Sequence, residues 1–157
     1  MVAPSTPAMP APAGAPRDDP AQVDAAARIF ERVPELVNGD AWLVQRGRFL
    51  TTECVIQVGP VPFNLSIAAG RIAALERGPR LMHAVSFSIR ASARAWLKFW
   101  QPIPEPKWHD LFALTRYGEA TVEGYLFPLM ANLQYMKDVL AAPRRVVAGP
   151  SAGRTLA

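Results

Sequence analysis

The chain has 157 residues, half of them hydrophobic and 19% charged, which gives room for one domain with one real core and excludes disorder throughout. Its formal net charge of +4 comes from Arg and Lys scattered at strand ends and turns. That scatter argues against nucleic acid as a partner and leaves transient contact with an anionic membrane surface or an acidic headgroup. Cys54 is the single cysteine, which excludes an internal disulfide and fits a reducing cytoplasm.

Residues 1–20, MVAPSTPAMPAPAGAPRDDP, carry no basic residue before Arg17 and no continuous Leu/Ile/Val block. They read as a disordered Pro/Ala-rich tail rather than a secretory signal, and no apolar run approaches the roughly 18 to 20 residues that span a bilayer. The folded domain is expected over 21–143, with a flexible tail over 144–157. From Asp24, Ile29, Phe30, Val33, Leu36 and Val37 recur at helical spacing, with Asp24 placed to cap and Asn38-Gly39 to stop. Pro34 removes a backbone donor, so the segment is expected to kink or to split into two short helices.

Beyond Trp42 the period changes to two. Leu50, Thr52, Cys54, Ile56 and Val58 alternate with polar neighbours, the turn Gly59-Pro60 follows, and Val61, Phe63, Leu65 and Ile67 alternate in turn, which predicts a hairpin. Ala69-Gly70 leads to a third strand, Arg71 to Glu76, and Ala84 to Ser92 alternates again with Val85, Phe87, Ile89 and Ala91 on one side. A sheet with one apolar face needs a cover on that face. Ala93, Trp96, Leu97 and Trp100 recur at i, i+3, i+4, i+7, as do Trp108, Leu111, Phe112 and Thr115, with the loop QPIPEP between them. Gly118 ends the second helix, Glu119 to Glu123 is a short fifth strand, and Gly124 turns the chain into a final helix that Pro143 stops.

On a wheel of roughly 100° per residue, Leu126, Leu129, Met130, Leu133, Met136 and Leu140 of that helix form one broad stripe, with Lys137 at its edge and Tyr135 opposite. A stripe of this kind usually packs a core. Its breadth and its two methionines also fit the wall of a pocket, because Met adapts to irregular shapes.

Chemistry is sparse. His83 and His109 are the available histidines, and His109 beside Asp110 on a helix points about 100° away from it, so the pair does not form a base with its orienter. Asp110 reads instead as a residue at a solvated helix start. Glu119 and Glu123 on one strand lie roughly 13 Å apart, too far for a paired-carboxylate site. No nucleophile triad, phosphate-binding glycine loop or metal-ligand spacing occurs, and Cys54 faces the expected core. Arg90 and Arg94 stand where they could meet an acidic headgroup, or simply solvate the surface.

The order helix, antiparallel strands, helix pair, then Glu123-Gly124 followed by LMANLQYM resembles the sterol carrier protein type 2 family over about residues 24 to 142. Trp96 matches an aromatic that follows the fourth strand in that family, and Glu123-Gly124 its acid-Gly turn. The chain departs from the family at PEPKWHDLF, where relatives carry an Asp-Pro type loop, and it ends RTLA rather than in a microbody-targeting tripeptide. The resemblance implies an α+β fold, a five-stranded mostly antiparallel sheet covered on one face by helices, enclosing an apolar cavity or tunnel. It further implies non-catalytic carriage of a fatty acyl, sterol or polyprenyl/quinone-like lipid in a tunnel closed by the C-terminal helix, with no cofactor. Bacterial relatives serve as accessory factors in quinone biosynthesis or as partners of degradative enzymes. The residues expected to line the tunnel are Phe87, Ile89, Trp96, Leu97, Trp100, Trp108, Phe112, Leu126, Met130, Leu133 and Met136. The alternative is an interaction or accessory subunit that docks a partner enzyme or a second copy through the same apolar surface.

Overall fold

The computed structural model describes residues 18–80 and 84–149. The tail reading of 1–17 and 150–157 and the histidine His83 lie outside the described residues. The alternation of apolar side chains becomes five strands: β1 (Thr52–Val58), β2 (Val61–Ala68), β3 (Arg71–Arg77), β4 (Phe87–Ala91) and β5 (Ala120–Gly124). They form one mixed sheet in the order β3-β2-β1-β4-β5, antiparallel except for the parallel central pair β1 and β4. Register puts like with like. Ile56 stands opposite Phe63 on one side and Ile89 on the other, and Cys54 opposite Leu65 and Phe87. These six side chains are all buried, so the period-two pattern marks the covered face of the sheet.

Gly124 closes the outer pairing, opposite Phe87, at φ +106°. A Cβ there would stand 2.6 Å from the Ser86 carbonyl oxygen, which accounts physically for glycine in the Glu123-Gly124 turn.

The helices are short: α1 (Pro20–Phe30), α2 (Val33–Asn38), α3 (Ala41–Arg46), α4 (Ala93–Phe99), α5 (Leu111–Arg116), α6 (Phe127–Ala131), α7 (Leu133–Ala141) and α8 (Arg144–Ala148). No helix among the described residues is long and apolar enough to cross a membrane. The Pro34 expectation is met by the split between α1 and α2. The start is not at Asp24: Asp19 caps α1 by accepting from the Ala21 N–H at 2.9 Å, Pro20 opens the first turn, and Asp24 pairs with Arg28 one turn on. Helix α3 shows no apolar period in the sequence because it offers one buried side chain, Leu43, with Asp40 as its cap and Trp42 exposed.

Two further differences concern the C-terminal segment. The expected single helix is broken at Asn132, whose backbone takes φ −127° and ψ 37° and whose side chain donates to the Pro128 carbonyl, ending α6. The break turns α7, so that Tyr135, assigned to the outer surface on a continuous wheel, is buried, and its hydroxyl donates to the Gly70 carbonyl at 2.7 Å. Within the span expected as tail, Arg144 opens α8 and fastens it, donating from Nε to the Phe99 carbonyl at 2.8 Å and from Nη2 to the His109 carbonyl at 3.0 Å.

Candidate functional site

The region between sheet and helices is filled by large rings. Phe63 on β2 meets Phe30 on α1 at 4.9 Å between ring centres, Phe30 stacks on Trp100 at 6.1 Å, and Trp100 stacks on Trp96 at 5.4 Å. Each indole also has its N–H satisfied. Trp96 donates to the Gln57 carbonyl at 2.9 Å and Trp100 to the Leu140 carbonyl at 2.8 Å, tying α4 to the sheet and to α7. Among the described residues no buried side-chain nitrogen or oxygen lacks a hydrogen-bond partner. A guest in this region would therefore be recognised by shape and apolar contact, not by a polar handle.

Of the residues expected to line a tunnel, Phe87, Ile89, Trp96, Trp100, Trp108 and Met136 belong to one buried cluster, and Leu97, Leu126 and Leu133 pack against it half-buried. Two stand apart. Phe112 on α5 lies beneath the Lys137 ammonium, 5.1 Å from its ring centre, and Met130 on α6 is exposed. Trp108 precedes α5 rather than opening it, since Asp110 is the cap, and Arg94, Lys98 and Lys107 surround its ring at 5.8, 4.7 and 4.7 Å. Phe30 and Phe63, read in the sequence as a helical stripe and a strand face but not as lining residues, belong to the same buried cluster, as does Tyr135. A wheel drawn for 133–141 alone puts Tyr135, Met136, Val139 and Leu140 on one buried face, so the signal was present once the break is known.

Helix α6 differs from the rest of the cover. It buries Leu129, while Phe127 and Met130 are exposed and Tyr125 stacks on Phe127 at 6.2 Å between centres. Clefts open on the surface elsewhere. One of about 360 Å³ between α3 and α7 is crossed by the ion pairs Arg46 with Asp138 and Arg145 with Asp40. Another, of about 250 Å³, lies beside Trp108 and Lys98. A further one, of about 420 Å³, lies between α5 and the loop before it.

Several of the polar residues singled out in the sequence have structural partners. Arg90 pairs with Glu123 across β4 and β5, and Glu119 with Lys107 at 3.0 Å. No group of three or more His, Cys, Asp or Glu that could hold a metal occurs among the described residues. Burial, reinforced by the Glu53 charge, pushes the Cys54 thiol up to about 12. The native protein is therefore expected to resist iodoacetamide at pH 8 and to react fully once unfolded in urea; alkylation of the folded chain at the rate of a free thiol would contradict this burial.

Asp110 caps α5 by accepting from the Phe112 N–H at 3.0 Å and pairs with Lys137 of α7 at 2.8 Å. Partial burial raises its pKa, but the Lys137 hydrogen bond and charge, with the N–H groups of Phe112 and Ala113, outweigh this and hold it below the ordinary 3.8. A depressed carboxyl stabilises the fold above its unfolded pKa and ceases to do so as pH falls through the folded one. Asp110→Asn is expected to cost about 1 kcal/mol at pH 7, by urea unfolding, and the gap to the parent should shrink below about pH 4. A gap that is constant with pH would refute the ionic part of this contact.

No family model matches the sequence, and no curated protein does. Solved structures do. The crystal structure of sterol carrier protein 2 is similar at TM-score 0.59 and 13% identity, over 75% of this chain and 95% of that one. A conserved hypothetical protein from Thermus thermophilus, described as a candidate sterol carrier protein, is similar at 0.53 and 15% identity, over 80% and 91%. The UbiJ-SCP2 ubiquinone synthesis protein is similar at 0.50 and 16% identity, over 80% and 96%. With its five-stranded mixed sheet under a helical cover, the chain has the sterol carrier protein 2 fold.

Proposed function

We propose that the protein is a non-catalytic carrier of a hydrophobic molecule, a fatty acyl, sterol or polyprenyl/quinone-like lipid, accommodated between the sheet and the C-terminal segment. The observation that carries this reading is α6: five residues between Gly124 and the break at Asn132, anchored by one buried side chain, Leu129. On this reading, displacing so short a segment would open a path past Leu126, Leu133 and Met136 while every strand stays paired. The names of the fold neighbours, a sterol carrier protein and a ubiquinone synthesis protein, support the ligand class. Burying some 300 Å² of a lipid tail at about 25 cal/mol per Å² supplies roughly 7 kcal/mol before the cost of moving α6, which suits micromolar carriage. Leu126, Leu133 and Met136 with Trp96, Trp100, Phe87 and Ile89 would contact the tail, while Trp108, Leu97, Phe112 and Met130 would flank its entrance.

A second reading rests on the exposed Tyr125, Phe127 and Met130, which would dock a partner enzyme or a second copy. Organic extraction of natively purified protein, with light scattering on the same sample, separates the two. Carriage predicts a monomer that yields about one lipid per chain. A lipid-free dimer that takes up no added lipid would overturn it in favour of docking.

A further inference from the structure

The cleft beside α5 has a charge imbalance that the interior lacks. Its lining brings Lys107 and Arg116 together with the rings of His109, Phe112 and Tyr117, and no carboxylate is part of it. Most of this charge is already answered. Lys107 Nζ lies 3.0 Å from Oε1 of Glu119 and 4.7 and 5.5 Å from the ring centres of Trp108 and Tyr117. Lys137, over Phe112, is paired with Asp110. Arg116 is exposed and makes no ion pair among the described residues.

The loop that forms the other wall is held in a strained shape. Lys107 takes φ +85°, a left-handed conformation that a side chain disfavours, and the salt bridge to Glu119 with the two flanking rings holds it there. Strain of this kind persists where surrounding contacts over-determine it, and it concentrates at ligand sites. One uncompensated guanidinium beside two rings matches one carboxylate on an apolar body: the fork of Arg pairs with the two oxygens and the rings cover the rest. A phosphomonoester carries a second charge, which neither Lys107 nor Lys137, both already paired with carboxylates, is free to meet.

We propose that the cleft between the 105–110 loop and α5 binds a small amphipathic monocarboxylate, with the carboxylate on Arg116 and the apolar body against Phe112 and Tyr117. The site shares Phe112 with the entrance proposed for a lipid, but its ligand would lie in the surface cleft and not among the buried indoles. The test is an NMR titration of the full chain with 1-naphthoate, alongside 2-naphthol and 1-naphthyl phosphate. Saturable amide shifts over 105–117 are expected with naphthoate, and binding roughly tenfold or more weaker with naphthol, with the phosphate and in Arg116→Gln. Arg116→Lys should recover part of the affinity, and neither variant should alter the thermal midpoint, since Arg116 makes no internal ion pair among the described residues. Absent shifts, shifts confined to other residues, equal binding of the phosphate, or unchanged affinity in Arg116→Gln would each overturn the proposal. The indole N–H signals of Trp96 and Trp100 report interior occupancy in the same spectra, so the carriage reading and this one can fail separately.

Discussion

Trp100→Ala is expected to destabilise the protein by about 3–5 kcal/mol, seen as a fall of roughly 10–20 °C in the thermal midpoint. The ring is fully buried, stacks on Phe30 and Trp96, and bridges α1 and α4, while its N–H satisfies the Leu140 carbonyl near the end of α7. Truncation removes one of the two largest buried side chains in the cover and leaves a buried acceptor without its donor. Trp100→Phe separates the two effects: the ring stays and the donor goes, so a loss of about 1–3 kcal/mol is expected. If Trp100→Ala melted within about 2 °C of the parent, the ring stack would not be the core of this fold.

Gly70→Ala is expected to cost about 3 kcal/mol or more, from two sources that add. Ala69 and Gly70 form the two-residue turn between β2 and β3, at φ +49° and +82°, a geometry that twists with the strands. A Cβ on Gly70 would stand 2.4 Å from the Val44 carbonyl oxygen and 2.7 Å from the Gly47 carbonyl carbon, both backbone atoms that no rotamer change can move. The Gly70 carbonyl is also the acceptor for Tyr135, so the displacement would reach α7. Ala69→Gly should act in the opposite direction, by relieving the left-handed alanine. Urea midpoints of the two variants check the argument, and a Gly70→Ala protein as stable as the parent would refute the close approach of this turn to α3.

Period-two patterning carried the sheet because the strands have one buried face, and the alternation of Cys54, Ile56 and Val58, or of Phe63, Leu65 and Ile67, reports that face directly. The parallel pairing of β1 with β4 was not legible, since side-chain alternation says nothing of strand direction. The C-terminal segment was read as one helix because Leu126 to Leu140 keeps a stripe on a continuous wheel. Nothing in that pattern marks Asn132, whose side-chain bond to Pro128 breaks the helix and swings Tyr135 inward. In the candidate site, the buried indoles were legible as a cover for the sheet. The cleft at Arg116 was not, because it depends on a left-handed Lys107 and on which cations have already found carboxylates.

Isotope-filtered NOE spectra of labelled protein with unlabelled palmitate examine the place of the guest most directly. Carriage predicts contacts from the chain methylenes to the Trp96 and Trp100 indoles and to Leu133 and Met136. Contacts confined to Tyr125, Phe127 and Met130, or none at saturating palmitate, would contradict it.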